Sequence, residues 1–155
     1  MPSINVKTGL YLEDLSVGQR FTSGTLTVTE AEIKSFAGQY DPQPFHLDDE
    51  AARGTFFGGL AASGWHTAAM TMRLIVDGGI PLAWGIIGGG GEIAWPRPTR
   101  PGDVLHVEGE VMEIIPSKSK PDRGMAAMRS ETKNQHGETV QVFTMKLVVP
   151  RRRTG

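Results

Sequence analysis

The chain has 155 residues, 39% apolar and 21% charged, with a formal net charge of −1 and no cysteine. That length supports one domain with a buried core and is short for two. The near-neutral charge disfavours a nucleic-acid binder held by phosphate contacts, and the lack of cysteine excludes disulfides, thiolate zinc sites and cysteine nucleophiles together.

The opening stretch MPSINVKTG lacks the charged-then-apolar order of a signal peptide, and no apolar run approaches the roughly 20 residues that span a bilayer. A soluble cytoplasmic protein is expected. The first predicted helix covers Thr29 to Tyr40. Thr29 and Glu32 have capping-box spacing, and Ile33, Phe36, Ala37 and Tyr40 fall on one face. Next comes YDPQPFHLDD, Tyr40 to Asp49. Its prolines at 42 and 44 bias Asp41 and Gln43 away from the α region and remove two backbone donors, which predicts a stiff extended loop rather than a helix. A short helix from Asp48 to Arg53 follows, begun electrostatically by Asp48 and Asp49. Then GTFFGG, Gly54 to Gly59, brings Phe56 and Phe57 between flexible flanks.

A third helix is predicted from Gly64 to Val76, with Ser63 as N-cap and Asp77-Gly78-Gly79 as its end. Trp65, Ala68, Ala69, Met72, Ile75 and Val76 recur at offsets of three and four. The other face carries Ala62, Thr67 and Thr71, with Arg73 the one cation, so burial on most sides is expected. His66 is expected to pack or cap, and Trp65, Trp84 and Trp95 to lie in the core. The glycine run Gly88 to Gly91 reads as a bent or closely approached strand. Neither Gly-Lys-Ser/Thr nor a GxGxxG helix follows it, so a phosphate loop is a poor match. Strands are predicted over Val104 to Ile115, Met125 to Lys133 and Glu138 to Val149, with a turn at Asn134 to Gly137. Long adjacent strands joined by a short turn indicate an antiparallel meander. With helices first and strands last, the class is α+β, one domain over residues 1–155, the third helix lying across the sheet. The basic residues Arg151, Arg152 and Arg153 belong to a flexible, solvated tail over residues 150–155. His106 and His136 lack partners at metal-ligand spacing, and no metal is expected.

Asp41 and His46 are the first candidates for chemistry. An aspartate and a histidine at this spacing occur often in ordinary turns. Here the prolines restrict the loop, Phe45 supplies an apolar wall, and GTFFGG suits the rim of an acyl pocket. The start of the third helix is the second candidate. Its first amides have no partner within the helix, the helix dipole favours negative charge there, and Gly64 lets a ligand oxygen approach closely. The plain alternative is that Ser63 only caps the helix and Gly64 only turns the chain.

From Phe36 through Met72, the run FAG, YDPQPFHLDD, AARGTFFGG and ASGWHTAAM resembles the hydratase motif of MaoC-like dehydratases and (R)-specific enoyl-CoA hydratases. Later, WPRPTRPGDVLHVEGEV (Trp95 to Val111) resembles the family's strand, Pro-Gly-Asp turn and strand. The resemblance implies a hot-dog fold, a curved antiparallel sheet around one long helix, paired into a homodimer or higher homo-oligomer. It implies Asp41 and His46 as the catalytic pair, Asp48 as the motif's trailing aspartate, and Gly64 as the residue whose amide meets the thioester carbonyl. Three departures bear on the substrate: Gln43 replaces an asparagine, Phe45 an aliphatic residue, and Ser63-Gly64 the usual His-Gly. With Phe57 and Trp65, these residues are expected to bind the substrate, and the aromatics suggest a short or small acyl chain.

The reaction implied is reversible addition of water across a 2-enoyl-CoA thioester to give the 3-hydroxyacyl-CoA, a lyase step of fatty acid metabolism. Coenzyme A enters as substrate, with no metal, nicotinamide or flavin, and neither nucleic acid nor membrane is an expected partner. An acyl-CoA thioesterase and a non-catalytic acyl-binding subunit of the same fold are the alternatives.

Overall fold

The structure of the chain is a computed structural model and describes residues 9–152. Residues 1–8, which carry most of the stretch read for a signal peptide, and Arg153 fall outside the described residues. In chain order the elements are β1 (Arg20–Thr22), β2 (Leu26–Thr27), α1 (Glu30–Tyr40), α2 (Pro44–Leu47), α3 (Asp49–Arg53), α4 (Gly64–Gly78), β3 (Gly88–Ala94), β4 (Val104–Pro116), β5 (Arg123–Lys133) and β6 (Thr139–Pro150). The sheet order is β1-β4-β5-β6-β3, every pair is antiparallel, and β2 also pairs with β4. The expected meander is thus β4-β5-β6. Two short strands precede α1, and β3 returns to the far edge, so the strands are not confined to the end of the chain.

Alternation explains the three long strands. Leu105, Val107 and Val111 of β4, Ala126 and Met128 of β5, and Met145, Leu147 and Val149 of β6 are buried on one face. The β5–β6 turn closes on Asn134, whose backbone carbonyl accepts from Gly137 at 3.0 Å and whose side-chain oxygen accepts from His136 and Glu138. The glycine run forms the first half of β3, with a register shift between Gly88 and Gly90. A Cβ on Gly91 would collide with the Thr144 carbonyl, so β3 and β6 approach closely there, as the glycines suggested.

α4 lies on this apolar face through His66, Thr67, Met70, Thr71, Leu74 and Ile75, all buried. The expectation of burial on most sides is corrected. Trp65 is 62% exposed and Val76 50%, so the stripe through Trp65, Ala69 and Val76 faces outward in the single chain. Trp84 and Trp95 are also exposed rather than core residues. Polar side chains reach the sheet side because they find partners: Thr67 Oγ1 donates to Thr99 Oγ1 at 3.0 Å, and Thr71 Oγ1 lies 2.6 Å from Thr132 Oγ1. The start of the basic tail also differs from a free solvated end. Arg151 pairs with Glu13 at 3.4 Å, and Arg152 pairs with Asp14 at 2.6 Å.

Candidate active site

The site begins where α1 stops. Asp41 closes the helix by donating its amide to Ala37 O at 2.9 Å, with φ −153° and ψ 66°. Pro42 disfavours helical geometry at Asp41, so the chain turns out of α1 here. The second half of the motif corrects the sequence expectation: Pro44–Leu47 is one helical turn. Pro44 sits at its start, where a missing amide costs nothing and a fixed φ helps. This turn brings His46 back beside Asp41.

His46 Nε2 lies 3.3 Å from Asp41 Oδ2. The imidazole is 4% exposed, while the Asp41 side chain retains 18% of its surface. On its other side, His46 Nδ1 is 2.6 Å from the carbonyl of Ala61. A carbonyl only accepts, so Nδ1 carries the proton and Nε2 is the nitrogen turned toward Asp41. Asp41 has two further donors: Ser63 Oγ donates to Oδ2 at 2.7 Å, and Gln43 Nε2 donates to Oδ1 at 2.6 Å. Burial raises the carboxyl's pKa, but the bonds from Gln43 and Ser63, together with the charge His46 carries when protonated, outweigh it and hold the pKa below the ordinary aspartate value. Asp41 is a stabilised carboxylate.

Ser63 links this pair to α4. Its hydroxyl donates to Asp41 and accepts from the Trp65 amide at 3.3 Å, so one side chain both caps the helix and fixes the carboxylate. The amide of Gly64 has no hydrogen-bond acceptor among the described residues. Gly64 has no room for a side chain, because a Cβ there would lie 2.7–2.9 Å from three ring atoms of Trp95. That indole is anchored by Nε1–H donating to Gln141 Oε1 at 2.9 Å. Gly64, Phe57, Ala62, Thr67, Trp95 and Thr99 help line a cleft of about 350 Å³. A larger hollow of about 490 Å³ lies at the opposite end of α4, between Val76 and Ile87. It has no titratable side chain in its lining. The Gly64 cleft has Arg97 as its titratable lining residue, and Asp41 and His46 lie outside its lining.

The remaining predicted residues divide. Phe45 and Phe57 wall the imidazole, with ring centroids 4.6 Å and 5.7 Å from His46. Phe57 also lines the cleft, so it stands between His46 and that space. Gln43 and Ser63 are committed to Asp41. Trp65 packs edge-on to Trp95 at 5.4 Å and is not part of the cleft lining. Asp48 caps α3 by accepting from the Ala51 amide at 3.0 Å. His66 is buried and stacked on Phe36 at 4.7 Å, and burial lowers its pKa below the ordinary histidine value. Sequence reasoning missed Arg100, which donates to the carbonyls of Phe57, Gly59 and Leu60, and it missed the fit of Trp95 over Gly64. Both depend on contacts between distant segments and leave no local pattern.

A family model described as "MaoC like domain" matches residues 15–135. The chain belongs to the MaoC-like dehydratase family. A crystal structure of a MaoC-like dehydratase from Rhodospirillum rubrum is 64% identical, with a TM-score of 0.92 over 94% of this chain and 100% of that one. The uncharacterized YdeM of Bacillus subtilis is 32% identical over 140 residues, 89% of this chain and 96% of YdeM. A 3-hydroxybutyryl-CoA dehydratase of Methylorubrum extorquens is 30% identical over 130 residues, 77% of this chain and 73% of that protein. The antiparallel sheet carrying α4 is the hot-dog fold of this family.

Proposed function

We propose that this MaoC-like protein is a hydratase/dehydratase that adds water reversibly across a 2-enoyl-CoA thioester, giving the 3-hydroxyacyl-CoA. The observation carrying this is the meeting of His46 Nε2 and Asp41 Oδ2 at 3.3 Å beside the first turn of α4. With its proton on Nδ1, a neutral His46 presents a lone pair at Nε2. Two acceptors then converge, and a water donating one hydrogen to each satisfies both. The lowered pKa of Asp41 makes it a weak base, so His46 takes the water's proton while Asp41 steadies the resulting imidazolium. The water oxygen bonds to the β-carbon as its O–H bond breaks toward His46, the double-bond electrons move toward the thioester carbonyl, and the imidazolium returns that proton to the α-carbon as the carbonyl re-forms. The Gly64 amide, at the positive end of the helix dipole, is the donor to the enolate-like oxygen, a role whose loss typically costs about 3–4 kcal/mol of barrier.

The reading is supported by the family and by the likeness to the M. extorquens dehydratase. The outer edge of β3, unpaired among the described residues, and the outward stripe of α4 suit a homodimer, and a cytoplasmic location belongs to the same reading. Asp41→Asn and His46→Gln are each expected to abolish most hydration, followed as loss of enoyl absorbance, with the far-UV circular dichroism unchanged. Full activity in both variants would remove the pair from the mechanism. Release of free thiol without hydration would instead identify a thioesterase.

A further inference from the structure

We propose that Arg100 is a positioning residue for the Asp41–His46 pair, acting through the backbone of residues 57–61 on the proton position of the His46 imidazole. This rests on the hydratase reading for its kinetic consequence and on geometry alone for its tautomer consequence.

The loop that follows α3 has little regular structure of its own, and Gly58 and Gly59 make it pliable. Yet its last residues must present one carbonyl, that of Ala61, to His46 Nδ1. Arg100 supplies the missing rigidity. Its Nη1 donates to Gly59 O at 2.9 Å and to Leu60 O at 3.2 Å, and its Nη2 donates to Phe57 O. A planar guanidinium suits several acceptors in a fan, whereas an ammonium is a point charge on a flexible stem. Among the described residues Arg100 forms no ion pair within 4.0 Å, so its donors are spent on neutral carbonyls.

The root of Arg100 is fixed as firmly as its tip. Its amide donates to Asp103 Oδ2 at 2.8 Å, and the buried Asp103 takes a second bond from Gln135 Nε2 at 3.1 Å. One residue earlier, Thr99 O accepts from the Ala62 amide at 2.9 Å. Ala61 is thereby bracketed, with the Leu60 carbonyl held by Arg100, the Leu60 amide donating to Asp49 Oδ1 at 3.0 Å, and Ala62 held by Thr99. Its own amide donates to Phe45 O at 3.1 Å, beside His46 in the chain. The Ala61 carbonyl can move only if one of these anchors gives way. Phe57, the aromatic wall of His46, hangs on the same guanidinium.

Loss of this clamp frees the Ala61 carbonyl from Nδ1, and the proton redistributes between the two ring nitrogens. Molecules protonated at Nε2 lack the lone pair that accepts from water. The test is Arg100→Met, which keeps an unbranched chain and removes all guanidinium donors, beside Arg100→Lys, which keeps a cation. In the native protein, 15N-labelled histidine spectra should show His46 protonated at Nδ1. In Arg100→Met the His46 signals should shift toward a tautomer mixture. Hydration kcat should fall about ten- to hundred-fold with KM within a factor of two, the scale expected for a small misplacement of a reacting group. Arg100→Lys should fall between, and it serves alone if Arg100→Met does not fold. A folded variant with the native Nδ1–H signature and native kcat overturns the proposal. If the native protein hydrates no enoyl thioester, the functional reading fails while the tautomer spectra still decide the role of Arg100.

Discussion

Gly64→Ala tests whether the start of α4 is shaped around Trp95. The added Cβ would meet three indole atoms at 2.7, 2.8 and 2.9 Å, where a relaxed carbon–carbon contact is about 3.5–4.0 Å. The α4 backbone cannot retreat, because Ser63 is held by Asp41 and its carbonyl takes the amides of His66 and Thr67. Trp95 must therefore move. Overpacking of this kind costs about 1–3 kcal/mol. Displacing the ring also breaks its bond to Gln141, a fully buried side chain whose Nε2 already has no partner among the described residues, adding about 1–3 kcal/mol. The higher helix propensity of alanine returns at most about 1 kcal/mol. The net loss is about 1–6 kcal/mol, which for a chain of this size lowers Tm by about 2–4 °C for each kcal/mol. Urea and thermal unfolding measure it, and Gly64→Ala combined with Trp95→Leu should recover part of the loss. A single variant as stable as the native protein would refute the packing account. So would a double variant whose losses simply add, since two side chains in direct conflict cannot be independent.

Ser63→Ala should act on both charge and helix. Losing the bond to Asp41 raises that carboxyl toward its ordinary value, so the midpoint of the Asp41 carboxyl followed by 13C NMR against pH should move to higher pH. The stability contributed by the lowered Asp41 pKa is complete above about pH 4 and disappears as the pH falls through the folded value, so this part of the Ser63→Ala deficit should be present at neutral pH and fade in acid. Loss of the cap adds about 1 kcal/mol of destabilisation. An unshifted carboxyl midpoint would detach Ser63 from the carboxylate. Beneath the helix, Thr71→Val should cost about 1–3 kcal/mol in urea unfolding by stranding the Thr132 hydroxyl. Adding Thr132→Val should restore much of it, and a double variant no better than the worse single one would contradict the pairing.

The elements legible in the sequence are those whose own side chains carry the pattern. Helix α1 announces itself through Thr29, and the Thr29 hydroxyl does accept from the Glu32 amide at 3.2 Å. Strands β4, β5 and β6 are legible as long strands joined by short turns, and Leu105, Val107 and Val111 of β4 alternate into the core. β1 and β2, at three and two residues, are too short to show any period. The orientation of α4 was hidden for a different reason. Its sequence holds two plausible inward faces, and the one with threonines is chosen because Thr99 and Thr132 wait opposite Thr67 and Thr71. Those partners lie 32 and 61 residues away, beyond any local rule.

The same division runs through the candidate site. Asp41 and His46 are visible because a proline-bounded segment needs only five residues to bring them together. What sets their proton arrangement is not local. Asp41 is held as a carboxylate partly by Ser63, 22 residues on, and His46 is oriented by Ala61, 15 residues on. A carboxylate and an imidazole alone define only an ion pair or a turn. Committing Nδ1 to a carbonyl and surrounding Asp41 with donors leaves Nε2 and Oδ2 as neighbouring acceptors 3.3 Å apart, the arrangement that the proposed water activation requires. On the proposed mechanism, the chemistry therefore depends on how the Leu60–Ser63 backbone is docked. That places the stability of the loop before α4, rather than the identity of the two titrating residues alone, in control of the site.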